Sequence, residues 1–247
     1  MTVKLDSTAR PAQGSREYAQ KQLTLNVGLR DDATLENFLV APALEPMMAT
    51  LTQQLQPAGE QLVFLHGAAD SGKSHLLQAS CHRASGNALY LPLADLMSYA
   101  PEQVLDGIDT LGLVCIDDVH LVAGQQHWEH ALFHAFNRAR QSGCAWLLAA
   151  DAAPRNLDIT LADLQSRLGW GGVFRLPSLD DEARIAVLQF RAERRGLTLS
   201  KEVANYIVSR APRALSELIA VLDTLDQASL AEQRALSIPF VKQSLGW

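Results

Sequence analysis

Eight residues constrain this chain more than any others. Gly67-Ala68-Ala69-Asp70-Ser71-Gly72-Lys73-Ser74 has the form GxxxxGK[ST]. The apolar run Leu62-Val63-Phe64-Leu65 precedes it and reads as a buried strand. A helical run from Lys73 through Leu76, Leu77 and Ala79 to Cys81 follows it. Strand, glycine loop and helix N-terminus together aim backbone N–H groups at an anion. The loop residues Gly67, Ala68, Asp70, Ser71 and Gly72 therefore read as a phosphate cradle. Lys73 supplies a positive point charge for the outer phosphates, and Ser74 offers a hydroxyl to Mg²⁺.

A second apolar run, Leu111 to Ile116, ends in Asp117-Asp118. It resembles the Walker B strand, whose first carboxylate holds Mg²⁺ through water and whose second orients a hydrolytic water. Many such ATPases carry Glu at the second position. Asp118 is one methylene shorter, so nucleotide binding is a firmer expectation than efficient hydrolysis. The run Trp146 to Ala150 then places Asp151 at the C-terminal end of a strand, the edge where open α/β sheets bind ligands.

The remaining apolar runs complete the pattern. Leu62–His66, Ala88–Leu91, Leu111–Ile116, Cys144–Ala150 and Val173–Leu176 read as five strands with helical segments between them. That alternation predicts βαβ units and a parallel sheet covered on both faces. A helix is expected before the sheet, from Leu44 to Leu55. Pro177-Ser178 marks a boundary. Beyond it, Asp180–Arg195, Lys201–Arg210 and Arg213–Ala231 read as helices, with Ile185 and Leu188, then Leu215, Leu218, Leu222 and Leu225, at 3–4 residue spacing. The expected organisation is a flexible tail over 1–20, a short peptide and linker over 21–28, an α/β unit over 29–177 and a small all-helical unit over 178–247.

Composition narrows the partners. The 247 residues carry a net charge of −6, which argues against holding nucleic acid by bulk electrostatics and leaves DNA contact indirect or weak. Cys81, Cys115 and Cys144 lack CxxC spacing and read as reduced core residues of a cytoplasmic protein. No apolar stretch suits a membrane span or a secretory signal. His127, His130 and His134 share a helical face, with no carboxylate or cysteine to complete a metal site. Trp128 and Phe133 read as packing residues, and Arg191, Arg194 and Arg195 as a solvated face.

Two short runs carry more. Arg167 lies in Leu164-Gln165-Ser166-Arg167-Leu168-Gly169-Trp170-Gly171, after the fourth strand and before the fifth. Its planar fork suits phosphate oxygens. Gln22-Leu23-Thr24-Leu25 alternates leucines with polar residues outside the domain-like region, as an edge strand or a docking peptide would.

The phosphate loop continued by His75-Leu76-Leu77, the strand ending in Asp117-Asp118, the strand ending in Asp151 and the SRLxWG run together resemble the AAA+ family, and within it the DnaA branch. The resemblance spans about Leu25 to the C-terminus. It implies an α/β P-loop NTPase base with a five-stranded parallel sheet and a C-terminal all-helical lid. It also implies ADP or ATP with Mg²⁺ as cofactors. His75, Asp151 and a lid arginine would then join the nucleotide site. DnaA continues past its lid into a helix-turn-helix domain. A short chain that opens with QL-x-L is instead similar to the Hda family of DnaA regulators, as are Ser237–Lys242 and Val104–Gly107. In that family the peptide binds the sliding clamp, the β subunit of DNA polymerase III. The resemblance assigns this role to Gln22, Leu23 and Leu25, with Asn26 where clamp peptides often carry an aromatic. It implies DnaA as the partner whose ATP Arg167 meets in trans, and it leaves room for a homo-oligomer. The expected lid arginine falls on Ser216, and Arg213, three residues earlier, is the stand-in the sequence offers. An autonomous AAA+ ATPase such as a helicase-loading factor, and a scaffold with a purely structural nucleotide, remain open alternatives.

Overall fold

The computed structural model describes residues 29–247, so the Gln22–Leu25 peptide lies outside the described residues. The chain enters through two short 3₁₀ turns, Leu35–Asn37 and Pro42–Leu44, and then α1, Glu45–Gln53. The strands are β1 (Leu62–His66), β2 (Ala88–Pro92), β3 (Leu113–Asp117), β4 (Ala145–Ala150) and β5 (Gly172–Arg175). Their helices are α2 (Lys73–Arg83), α3 (Leu93–Leu96), α4 (Pro101–Val104), α5 (Gln126–Ser142) and α6 (Ala162–Leu168). All four strand pairings are parallel, in the order β2-β3-β4-β1-β5. β1 thus lies inside the sheet, and the loop after it emerges beside the ends of β4 and β5.

Strand residues alternate between two cores because strand side chains alternate between faces. Phe64, Val114, Ile116, Trp146 and Leu148 pack under α5 and α6. Val63, Leu65, Cys115, Leu147 and Ala149 pack under α1 and α2. Both faces are buried, which is why these runs are almost continuously apolar. Fully burying one such aliphatic side chain stabilises the fold by about 1.5–3 kcal/mol. All three cysteines are free and buried, as expected.

After β5 come α7 (Asp181–Glu193), α8 (Lys201–Arg210), α9 (Leu215–Glu232) and α10 (Ile238–Leu245). Three begin at side-chain caps: Asp180 accepts from Ala183 N–H at 2.8 Å, Ser200 from Val203 N–H and Ser237 from Phe240 N–H. These helices share a third core of Leu188, Ile207, Leu218, Leu222, Leu225 and Phe240. Leu215, expected on the same apolar stripe, is only half-buried at the start of α9.

One expectation fails here. Arg191 is not on a solvated face: it is 5% exposed and pairs with Asp32. Arg195 likewise pairs with Asp223. The 3.6-residue pattern of α7 turns Arg191 toward the segment that precedes α1, and the sequence around it gives no sign of that partner. Among the described residues no helix is long and apolar enough to cross a membrane.

Candidate nucleotide-binding site

The loop Gly67–Gly72 leaves the end of β1 and turns directly into α2. Two glycines are required by geometry. Gly67 has φ +157°, and a Cβ there would sit 2.4 Å from the Leu176 carbonyl oxygen. Gly72 has φ +95°, and a Cβ would strike the Phe38 ring at 2.8 Å. Only glycine fits either position without moving backbone or ring. The first turn of α2 then presents its free N–H groups toward the loop.

Lys73 is buried, and its Nζ donates to the Gly67 and Ala68 carbonyls at 2.8 Å each. Burial lowers its affinity for a proton, while Asp117, Asp118, Asp151 and Asp70 raise it. The four expected carboxylates are thus gathered around this lysine. Ser71 Oγ is buried and has no hydrogen-bond partner among the described residues, an orphaned donor in the wall of the cradle. Ser74 is exposed at the first turn of α2.

Asp117 ends β3 at 2% exposure. Its Oδ2 accepts from the Tyr90 hydroxyl at 2.8 Å, and its Oδ1 accepts from Asp118 N–H at 3.0 Å. Burial and the neighbouring Asp117 push the Tyr90 phenol well above its ordinary range, so it stays a donor. Asp118 follows in the left-handed region with φ 56°. Burial first, and then Asp117, push its carboxyl up. Asp151 lies past the end of β4, 3.9 Å from His120 Nδ1. Among the described residues no three His, Cys, Asp or Glu side chains form a metal cage by themselves. His127 instead pairs with Glu102 at 2.6 Å. The donors suit Mg²⁺ held mainly by nucleotide phosphates, with Ser74 and Asp117 as protein groups.

His75 faces away from the cradle. Its Nε2–H donates to the Thr34 carbonyl at 2.8 Å, and its ring lies 6.0 Å from Phe38. It joins a strap, residues 30–38, that crosses α2. Arg30 N–H donates to Gln78 Oε1, His82 reaches the Arg30 carbonyl, and Arg191 grips Asp32 and the Asn37 carbonyl. Burial tends to raise the Asp32 carboxyl, and the Arg191 guanidinium outweighs it, so Asp32 is held below the usual carboxylate range. Arg213 is 80% exposed, with its nearest carboxylate at Asp181. It does not join the carboxylate cluster around Lys73, and Ser216 is exposed on α9.

Arg167 occupies the last turn of α6. Its guanidinium lies 4.8 Å over the Phe133 ring and 5.2 Å over the Trp170 ring. It makes no ion pair among the described residues. The helix bearing it is anchored by Glu129, which is 0% exposed. Glu129 accepts from Gly124 N–H, from Thr160 N–H and Oγ1, and from Leu161 N–H at the start of α6. Trp170 and Gly171 line a cavity of about 190 Å³ with Glu60, Gln61 and Leu62, at the start of β1. Arg167 is thus carried toward the end of the sheet opposite the phosphate loop.

The sequence assigns no role to Tyr90, Asp32 or Glu129, and it places Arg191 on a solvated face. A buried glutamate or arginine within an apolar helical face is the local sign that could have singled out two of them.

A phosphate loop on a central strand, acidic residues at the ends of the next two strands β4 and β3, the order β2-β3-β4-β1-β5 and a trailing helical region define a P-loop NTPase fold of the AAA+ class. Residues 93–175 match the bacterial DnaA ATPase domain, and residues 181–245 match the Hda lid domain. An uncharacterized protein of Haemophilus influenzae is 42% identical over 229 residues, spanning 91% of this chain and 98% of that one. Domain III of Thermotoga maritima DnaA superposes with a TM-score of 0.70 at 25% identity, covering 89% of this chain and 98% of that one. Aquifex aeolicus DnaA bound to AMPPCP reaches 0.67 at 24% identity, over 82% of this chain and 68% of that one. A Thermotoga maritima RuvB branch-migration motor shares the fold at 14% identity and a TM-score of 0.61. The chain belongs to the Hda-like AAA+ proteins of the DnaA branch.

Proposed function

We propose that this chain binds ADP or ATP with Mg²⁺ and switches off DnaA by completing the catalytic site on DnaA-bound ATP, while docked on the sliding clamp. Gly67–Ser74, Asp117 and Asp151 form the nucleotide site in this reading. The α/β part, 29–177, and the helical part, 178–247, act as base and lid. Gln22, Leu23 and Leu25 dock on the clamp. Bound nucleotide with Mg²⁺ supplies the phosphate charge that Lys73 and the α2 N-terminus neutralise.

The observation that carries the reading is the position of Arg167. Strands of five residues span about 16 Å, more than an arginine side chain reaches, so a phosphate met by Arg167 belongs to another molecule. The aromatic faces of Phe133 and Trp170 hold the guanidinium without neutralising it, as a carboxylate would. Such an arginine stabilises charge that develops on a transferring phosphoryl group.

The test is hydrolysis of ATP on purified DnaA with this chain, clamp and DNA. Arg167→Ala should retain ADP and clamp binding and lose about 10³–10⁵ of the stimulated rate. Arg167→Lys should fail similarly, because an ammonium lacks the planar fork. An Arg167→Ala protein that still drives DnaA-ATP to DnaA-ADP at the normal rate ends this reading.

A further inference from the structure

We propose that Tyr90 is a positioning residue that sets how tightly the site holds Mg²⁺. The proposal rests on the nucleotide-site reading above. Tyr90 stands opposite Cys115 in the β2–β3 register. Asp117 is two residues further along β3, on the same face, so the phenol reaches it diagonally across the strands. The hydroxyl donates to Oδ2 at 2.8 Å while Asp118 N–H donates to Oδ1 at 3.0 Å. Each carboxylate oxygen therefore has one fixed donor and keeps a second lone pair. Rotating the carboxylate would break both bonds in a buried setting, where unmade hydrogen bonds are costly.

The competing cation is held elsewhere. Lys73 Nζ donates to the Gly67 and Ala68 carbonyls, and among the described residues it makes no hydrogen bond to Asp117. Partners that hold a metal-binding group in this way typically change metal affinity 10–100-fold.

Calorimetry of ADP binding, in EDTA and in Mg²⁺, tests this with Tyr90→Phe, Asp117→Asn and the double variant. Tyr90→Phe keeps the ring and deletes one hydroxyl. Its ADP affinity in EDTA should stay within about twofold of the parent, while the gain on adding Mg²⁺ falls about tenfold or more. In the Asp117→Asn background, Tyr90→Phe should change nothing further. An undiminished Mg²⁺ gain, or an equal loss in EDTA, overturns the proposal and leaves Tyr90 a packing residue. Failure of the parent chain to bind ADP at all is a separate result, which removes the nucleotide site and this role with it. Should Tyr90→Phe not fold, 3-fluorotyrosine placed at position 90 gives a second measurement. Its ¹⁹F resonance should move when Mg²⁺ is added to the ADP-saturated protein, and an unmoved resonance overturns the role.

Discussion

Arg191, on the first helix after the sheet, binds the carboxylate of Asp32, 159 residues earlier in the chain. The arginine is 5% exposed and also donates to the Asn37 carbonyl. Asp32 lies in the strap that crosses α2 just behind the phosphate loop, and Phe38 of that strap packs on Gly72. One ion pair therefore joins the C-terminal helices to the segment bordering the cradle.

Arg191→Leu should lower stability by about 1.5–3 kcal/mol, the loss typical of hydrogen bonds to charged groups. For a chain of this size that is a fall of roughly 3–12 °C in melting temperature. Asp32→Asn should also destabilise, because it leaves a buried guanidinium without its counter-charge. The double variant should be less destabilised than the two losses added together. Thermal unfolding of the three variants at pH 7 measures this. Strict additivity would mean that the two side chains act independently.

His75 gives the strap a pH dependence. Burial is the largest influence and lowers its affinity for a proton, against the Thr34 carbonyl, which raises it. A histidine depressed in the folded state contributes stability that is present above its ordinary value of about 6.5 and lost as pH falls below it. His75→Gln should therefore lower the melting temperature at pH 8, and the gap to the parent should narrow toward pH 5. A gap that is constant across that range contradicts the assignment.

Asp118 behaves in the opposite sense. Its carboxyl is pushed up, so the fold favours its protonated form. The associated stability is present below the ordinary carboxylate value of about 3.9 and is lost as pH rises through the folded value. Asp118→Asn should raise the melting temperature of the nucleotide-free chain at pH 7, with the difference vanishing toward pH 4. Because its side chain is short and no lid arginine stands at Ser216, turnover of ATP by the chain alone should fall well below about 1 s⁻¹. Steady-state phosphate release checks the second point, and motor-like turnover would favour an autonomous ATPase.

Gln22→Ala with Leu23→Ala should abolish co-elution with the sliding clamp. ADP affinity and melting temperature should hardly move, because a docking peptide acts on the clamp and not on the nucleotide site. Retention of the double variant on the clamp would remove the clamp from the partners.

Local rules were sufficient for the scaffold. Apolar runs placed five strands within one or two residues, most clearly β1, β3 and β4, because strands buried on both faces have to be apolar throughout. β3 starts two residues later than its apolar run, at Leu113, since Leu111 and Gly112 belong to the turn. The 3.6-residue spacing of Leu218, Leu222 and Leu225 made the later helices legible. The phosphate loop was legible because its function depends on contiguous backbone.

Contacts that join distant segments were not legible. Tyr90 and Asp117 are 27 residues apart, Glu129 and Thr160 are 31 apart, and Arg191 and Asp32 are 159 apart. Each is a polar residue in a run whose pattern says only which face it occupies. Helical spacing puts Arg191 on a face, and only the packing of α7 against the strap decides whether that face meets water or a carboxylate. By itself the sequence determined the βα order, the loop that can cradle phosphate and the residue types available to it. The tertiary structure decided which donor aims Asp117, which anion anchors α6 and which arginine joins the helical region to the strap. Burial makes an unpaired polar group costly, so each needed a partner, and only the folded chain brings that partner within reach.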